Sequence, residues 1–339
     1  MNEKLIRVAA SPEAMVNGVA VSPGGRVFSS FPRWTDKPTP GVAEAMPDGR
    51  FRPFPGGNWN AWAAGLPAGD RFVSVHAVFA DKQNYLWVVD DAAPSHRTYV
   101  PGGPKLVKIS LATNEVERVY ALGPDLAPPG TVLGHVRHDQ QFAYVTDANS
   151  GSIIVLDLAS GGGRRLLSTH PKTRADPSII PIVDGKEFRR SDGNVPVIHV
   201  NLLELSHDGQ WLYFMALFGP WLRRIETKIL RDPALSDDAI GANIEDVVRV
   251  PPCAGIVTDR EGNLYLSSFT QNAILKMGPE RKLQILISDP RIAFPNEASV
   301  GPDGYLYFPC CQGNRIARHQ PDGVSRVKLP FEVLKTRIA

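Results

Sequence analysis

Short apolar runs of strand length alternate with polar turn residues along almost the whole chain. In residues 199–214, HVNLLELSHDGQWLYF, the pattern predicts a buried strand, a tight turn at Asp208-Gly209 and a second strand rich in aromatic residues. The same phrase returns as NGVAVSPGGRVFSSF from Asn17, HAVFADKQNYLWVVD from His76, GHVRHDQQFAYVTD from Gly134, AGIVTDREGNLYLSS from Ala254 and NEASVGPDGYLYFPC from Asn296, which makes six copies. Each copy carries the signature of a β-hairpin. A further strand pair follows, as in KLVKISLATNEVERVYAL at 105–122 and SIIVLDLASGGGRRLLS at 152–168, so each unit holds about four strands.

Six such units predict an all-β fold, a six-bladed β-propeller with four antiparallel strands per blade and a central channel. The expected blades span approximately 15–66, 67–126, 127–190, 195–247, 248–290 and 291–339, within a single domain over 1–339. Residues 4–10 are expected to pair with the last blade as its outer strand, which closes the ring and removes two exposed edges. The longest interruption, 169–198, is expected to be an ordered excursion over one rim.

Composition narrows the function classes. Hydrophobic residues make up 43% and charged residues 21%, the balance of a soluble globular chain. The 37 Lys and Arg nearly cancel the 35 Asp and Glu, so no global field favours a nucleic-acid partner. No apolar run reaches the length of a membrane span, and MNEKLIRVAASPEAM lacks the apolar core of a signal peptide, so the chain as given reads as cytoplasmic unless a leader has been removed. Cys253, Cys310 and Cys311 are too few for a disulfide framework and lack zinc spacing. No serine nucleophile elbow, phosphate loop or dinucleotide fingerprint is present, and the sequence requires no cofactor.

Aligning the six hairpins places Asn17, His76, Gly134, Asn201, Ala254 and Asn296 in one column, expected to ring a channel mouth. His135 joins the column because Gly134 has no side chain. The second strands return to the same face and contribute Asp90, Asp147 and Cys310, with Cys253 nearby. If the second turn centres on Gln83, His76 faces Asp90 across the strand pair, and His135 and Asp147 come close to the same register. A carboxylate fixes the tautomer of an imidazole and raises its basicity, as a general base near neutral pH requires. His76, His135, Asp90 and Asp147 are therefore the catalytic candidates. Asn17, Asn201, Asn296, Glu297, Cys253 and Cys310 are the candidates for contact with a small-molecule substrate. The bland alternative is that each Asp caps the loop at its strand end. Aromatic clusters at 31–34, 54–62 and 218–221 are expected either to wall a pocket or to fill wedges between blades.

The stretches VSPGGRVFSSFPRW, FPGGNWNAW, LWVVDDA, AYVTDANSGSIIVLDL, IVDGK and LELSHDGQWLYFMAL resemble the major royal jelly and Yellow protein family in its bacterial branch. That resemblance implies a six-bladed propeller. For function it implies either an isomerisation of the dopachrome-conversion type or the binding of small molecules. A more distant resemblance, to the gluconolactonase and regucalcin group, implies lactone hydrolysis with a divalent metal such as calcium in the channel. In that group the metal is held by a Glu in the first-blade column, Asn in the third and fourth and Asp in the fifth. Here those positions hold Asn17, Gly134, Asn201 and Ala254, and only Asn201 keeps the ligand type. A hard divalent ion needs carboxylates, so a metal of that kind is not expected here, though Glu13, Glu297 or the two histidines leave room for a different site. The reading adopted is a small-molecule enzyme at the channel mouth, a lactonase-type hydrolase first, then an isomerase of a cyclic enone or quinone, then a ligand-binding protein.

Overall fold

The computed structural model describes residues 4–35, 39–96 and 99–338. The described residues form a six-bladed β-propeller, each blade a four-stranded antiparallel sheet. Blade 1 is Gly18–Val21, Val27–Ser30, Val42–Ala45 and Phe51–Pro53, and blade 2 is Val75–Ala80, Tyr85–Asp90, Lys105–Ser110 and Glu115–Ala121. Blade 3 comprises Leu133–His138, Phe142–Asp147, Ser152–Asp157 and Gly163–Leu166, and blade 4 comprises Val200–Leu205, Trp211–Ala216, Trp221–Glu226 and Glu245–Arg249. Blade 5 runs through Cys253–Thr258, Leu264–Ser268, Ala273–Met277 and Leu283–Ser288. Blade 6 joins the ends of the chain: Ser299–Val300, Tyr305–Cys310 and Phe331–Arg337 are completed by Ile6–Ser11, with Ser11 opposite Phe331 and Ile6 opposite Lys335. The first strands of successive blades pack on one another all the way round and so line the channel.

The repeated phrase has a physical cause. In blades 2, 3, 5 and 6 the turn aspartate accepts a hydrogen bond from an aromatic side chain of the strand that follows. The pairs are Trp87 Nε1 to Asp81 (2.8 Å), Tyr144 Oη to Asp139 (2.8 Å), Tyr265 Oη to Asp259 (2.9 Å) and Tyr307 Oη to Asp303 (2.7 Å). The aspartate also accepts backbone amides of its own turn, for example Asn263 N to Asp259 at 2.8 Å. One carboxylate therefore fixes the turn and satisfies a polar atom that the buried ring would otherwise strand.

The 169–198 segment is held against the propeller by Phe188 and Asp184. It carries a small hairpin, Ile182–Val183 against Lys186–Glu187. Phe188, 4% exposed, inserts among Phe218, Phe294 and His319, with ring centroids at 5.7, 5.7 and 4.6 Å. Burying such a ring contributes about 1.5–3 kcal/mol. Asp184 accepts Asn314 Nδ2 at 3.0 Å and Arg315 Nε at 2.8 Å, which ties the segment to the 313–319 loop of blade 6. Among the described residues no helix is long and apolar enough to cross a membrane.

Candidate functional site

The channel mouth is shaped by a backbone irregularity that recurs in four blades. In blades 2 to 5 the register of the first strand against the second shifts close to its start, between Val75 and Ala77, Leu133 and Val136, Val200 and Leu202, and Cys253 and Ile256. The residues inside these bulges are His76, Gly134 with His135, Asn201, and Ala254 with Gly255, the column read from the sequence. A bulge leaves its residue out of the ladder and re-aims the side chain. Close packing accompanies it: a Cβ on Gly134 would lie 2.5 Å from Asn201 Oδ1 and closer still to Thr146 Oγ1.

His76 reaches a cavity of about 330 Å³ that Trp34, Asn201, Asn296, Phe188 and Phe294 also line. Its position is set from behind. The His76 carbonyl accepts Asn17 Nδ2 at 2.8 Å and Ser30 Oγ at 2.9 Å, and its ring meets the edge of Trp34 at 5.4 Å. His76 Nδ1 stands 3.8 Å from Asp91 Oδ2, and among the described residues neither atom has another hydrogen-bond partner. Asp91 is oriented by the Ala93 amide, which donates to Oδ1 at 3.0 Å. Burial pushes its carboxyl above the usual range, and His76 opposes that rise. A shift of less than about 1 Å would close the pair into a hydrogen bond.

The expected partner of His76 is therefore corrected. Because of the bulge, Asp90 lies opposite Val75. Its carboxylate is occupied by Val73 N (2.8 Å), Ser74 N (2.9 Å), Ala92 N (3.0 Å) and the buried Lys105 Nζ (2.7 Å). Blade 3 repeats the arrangement. Asp147 lies opposite Leu133, accepts Val132 N at 3.0 Å and Asn149 N at 3.0 Å, and pairs with Arg165. Both aspartates cap the chain where it enters and leaves the blade. His135 does not line the cavity. It is fully buried, its ring centroid 6.4 Å from that of His76, and burial, then the Arg137 charge and the nearby His76, lower it well below the usual histidine range.

A sealed ionic cluster fills the channel beneath. Arg137 Nε donates to both Glu204 oxygens at 3.1 and 3.0 Å, and Arg137 Nη1 donates to Glu297 Oε1 at 3.2 Å. Glu297 Oε2 accepts Val78 N at 3.2 Å, and His135 Nδ1 lies 3.8 Å from Oε1. Two carboxylates thus share one guanidinium out of water. Burial raises Glu204, and burial raises Glu297 to about 7, with Arg137 opposing both.

The remaining candidates divide. Asn201 and Asn296 line the cavity, while Asn17 lies behind it, its Oδ1 accepting Asn296 Nδ2 at 2.7 Å. Glu297 sits in the buried cluster. Cys253 and Cys310 do not line the cavity, and burial raises both thiols. Cys311 does line it, its thiol donating to the Phe294 carbonyl at 3.2 Å and pushed up by burial to about 12. Trp34 is the one aromatic of the three sequence clusters in the lining; Trp59 packs on Phe72 and Trp62 lies beside Arg33. Asp91 and Arg137 were missed. Each had a signal: Asp91 in the doublet after LWVV, and Arg137 as a charge two residues beyond His135 in an apolar strand.

The donors do not fit the divalent metal of the gluconolactonase and regucalcin group. The Asn17 amide is spent on Asn296 and the His76 carbonyl, and Gly134 and Ala254 offer no side-chain oxygen. Among the described residues no three His, Cys, Asp or Glu side chains are grouped to hold a metal ion.

Residues 73–307 match the sequence profile described as major royal jelly protein. The chain belongs to that family. No curated protein matches it. Among solved structures, this family member is similar to a luciferin-regenerating enzyme (11% identity, 98% of this chain and 94% of that one, TM-score 0.58). It is also similar to a catalytically inactive virginiamycin B lyase from Staphylococcus aureus with quinupristin (13% identity, 99% of each chain, TM-score 0.55). A third is the PQQ-bound aldose sugar dehydrogenase from Streptomyces coelicolor (11% identity, 98% and 96%, TM-score 0.54). At these identities the likeness is one of fold.

Proposed function

We propose that the protein is an enzyme for a small cyclic carbonyl compound, bound at the channel mouth, with His76 as general base. One observation carries the reading: His76 lines the cavity while its Nδ1 faces the buried oxygen of Asp91 at 3.8 Å, which has no other partner among the described residues. When the two close, Asp91 holds the proton on Nδ1 and leaves Nε2 to take one from the reactants.

The reaction proposed first is hydrolysis of a lactone. His76 takes a proton from water as its oxygen attacks the ring carbonyl, and the Asn201 amide at the cavity wall faces the developing oxyanion. The ring C–O bond then breaks, and the imidazolium returns its proton to the departing alkoxide. A second reading is favoured by the aromatic lining of Trp34, Phe188 and Phe294, which suits a flat unsaturated ring. In that case the same imidazole lifts a proton from one carbon of a cyclic enone or quinone and delivers it to another carbon.

A panel of lactones in ¹⁸O-labelled water and of enones and quinones in D₂O separates the two. Label in the carboxylate product identifies hydrolysis, and deuterium at carbon identifies isomerisation. Tight binding without either product would leave a ligand-binding protein and remove the enzyme reading.

A further inference from the structure

We infer that Ser95 is a second nucleophile of this cavity, one that takes the acyl group of an open-chain ester with His76 as its base. The inference rests on the proposed role of His76 and adds a substrate class to it.

Ser95, Trp34 and His76 line the same cavity. The turn that carries Ser95 also carries the acid: Asp91-Ala92-Ala93-Pro94-Ser95 follows directly on Tyr85–Asp90, the second strand of blade 2. Two bonds fix its path. Ala93 N donates to Asp91 Oδ1 at 3.0 Å, and Ser95 N donates to the Arg33 carbonyl at 2.7 Å. The second bond holds Ser95 beside the residue that precedes Trp34, whose ring meets that of His76 at 5.4 Å. Asp91 faces the imidazole on its Nδ1 side at 3.8 Å, which leaves Nε2 for a hydroxyl in the cavity.

The backbone of the turn is strained where the hydroxyl sits. Ser95 stands in the left-handed region (φ 59°, ψ 13°), and so does Ala92 (φ 48°). Residues with a Cβ rarely adopt that conformation, and strain of this kind collects at sites where it aims a functional group. No hydrogen bond of the Ser95 hydroxyl among the described residues accounts for it as a local cap.

The step balances on these groups alone. Ser95 Oγ bonds to the ester carbonyl carbon, its proton passes to His76 Nε2, the ester C–O bond breaks, and the departing alkoxide takes that proton. Water then attacks the acyl carbon, gives its proton to His76, and the proton returns to Ser95 Oγ as the acyl bond to serine breaks. In a lactone the departing alkoxide stays tethered to the acyl group and recloses the ring, so direct attack by water remains the productive route there. An open-chain ester loses its alcohol to solvent, and the acyl group stays on Ser95.

The test mixes the full chain with p-nitrophenyl acetate, follows p-nitrophenolate by stopped-flow absorbance, and maps the acetyl group by peptide mass spectrometry. The expected result is a burst of about one p-nitrophenolate per chain, with the acetyl group on Ser95, as an accumulating acyl-enzyme requires. Ser95→Ala and His76→Ala are each expected to lose burst and adduct. Ser95→Gly suits the left-handed backbone and replaces the alanine variant if that one does not fold. No burst, an acetyl group on another residue, or an undiminished burst in a folded Ser95 variant would overturn the inference. A wild type that hydrolyses lactones without any burst loses Ser95 as a nucleophile and keeps the proposed function, whereas a Ser95 adduct that survives His76→Ala removes His76 as the base from both.

Discussion

Glu297 gives the channel a measurable pH signature. The folded protein holds its carboxyl at about 7 against an ordinary value of 4.5, because burial outweighs the help of Arg137 and the Val78 amide. Between those values the folded chain keeps a proton that the unfolded chain has released. Stability from this group is therefore present below the lower value and is lost as pH rises through the upper one. The size of that loss is about 3 kcal/mol between roughly pH 4.5 and pH 8.5. Glu297→Gln removes the titration and keeps the shape. It also sacrifices an acceptor, since Oε1 takes Arg137 and Oε2 takes Val78 N, which costs about 1 kcal/mol at every pH. The Arg137 to Glu204 contact remains. Urea unfolding of both proteins across that range should show the variant weaker at the acid end and gaining on the wild type by about 3 kcal/mol toward the alkaline end. A difference that stays flat, or moves the other way, would refute the claim that burial holds the Glu297 carboxyl above its ordinary range.

Two further substitutions test the roles assigned to the framework. Lys105→Met leaves Asp90 buried without its cation and should cost about 3–5 kcal/mol in chemical denaturation, while substrate binding in the folded variant is unchanged because Lys105 does not line the cavity. Gly134→Ala places a methyl 2.5 Å from Asn201 Oδ1. It should lower the unfolding free energy by about 1–3 kcal/mol and weaken ligand binding through displacement of Asn201, both read by titration.

The blades were legible because their signal is local and repeated. An apolar strand, a turn aspartate and an aromatic ring a few residues on are linked by bonds such as Tyr265 to Asp259 and Tyr307 to Asp303, so the sequence pattern and the physical contact coincide. The pairing of the site residues was not legible for the opposite reason. A uniform register sets His76 against Asp90, whereas the bulge at His76 moves Asp90 opposite Val75 and leaves Asp91 facing the imidazole. Bulges leave no mark in residue type when the bulged position holds a histidine, a glycine or an asparagine alike. The outer wall of the cavity was hidden too, since residues 188–192 and 316–319 lie far apart in sequence and come together only where 169–198 is pinned by Phe188 and Asp184. Glu297, a candidate for substrate contact, instead converges with Glu204 on Arg137 from a separate blade.

The central claim is that His76, held by Asp91, is the base of a channel-mouth enzyme. Once a substrate is found in the labelled-solvent panel, single-turnover rates of the wild type, His76→Ala and Asp91→Asn measure it directly. The account predicts a loss of about 10²–10⁴-fold for His76→Ala, a smaller loss for Asp91→Asn, and little change in substrate affinity for either. Full activity in His76→Ala would contradict it.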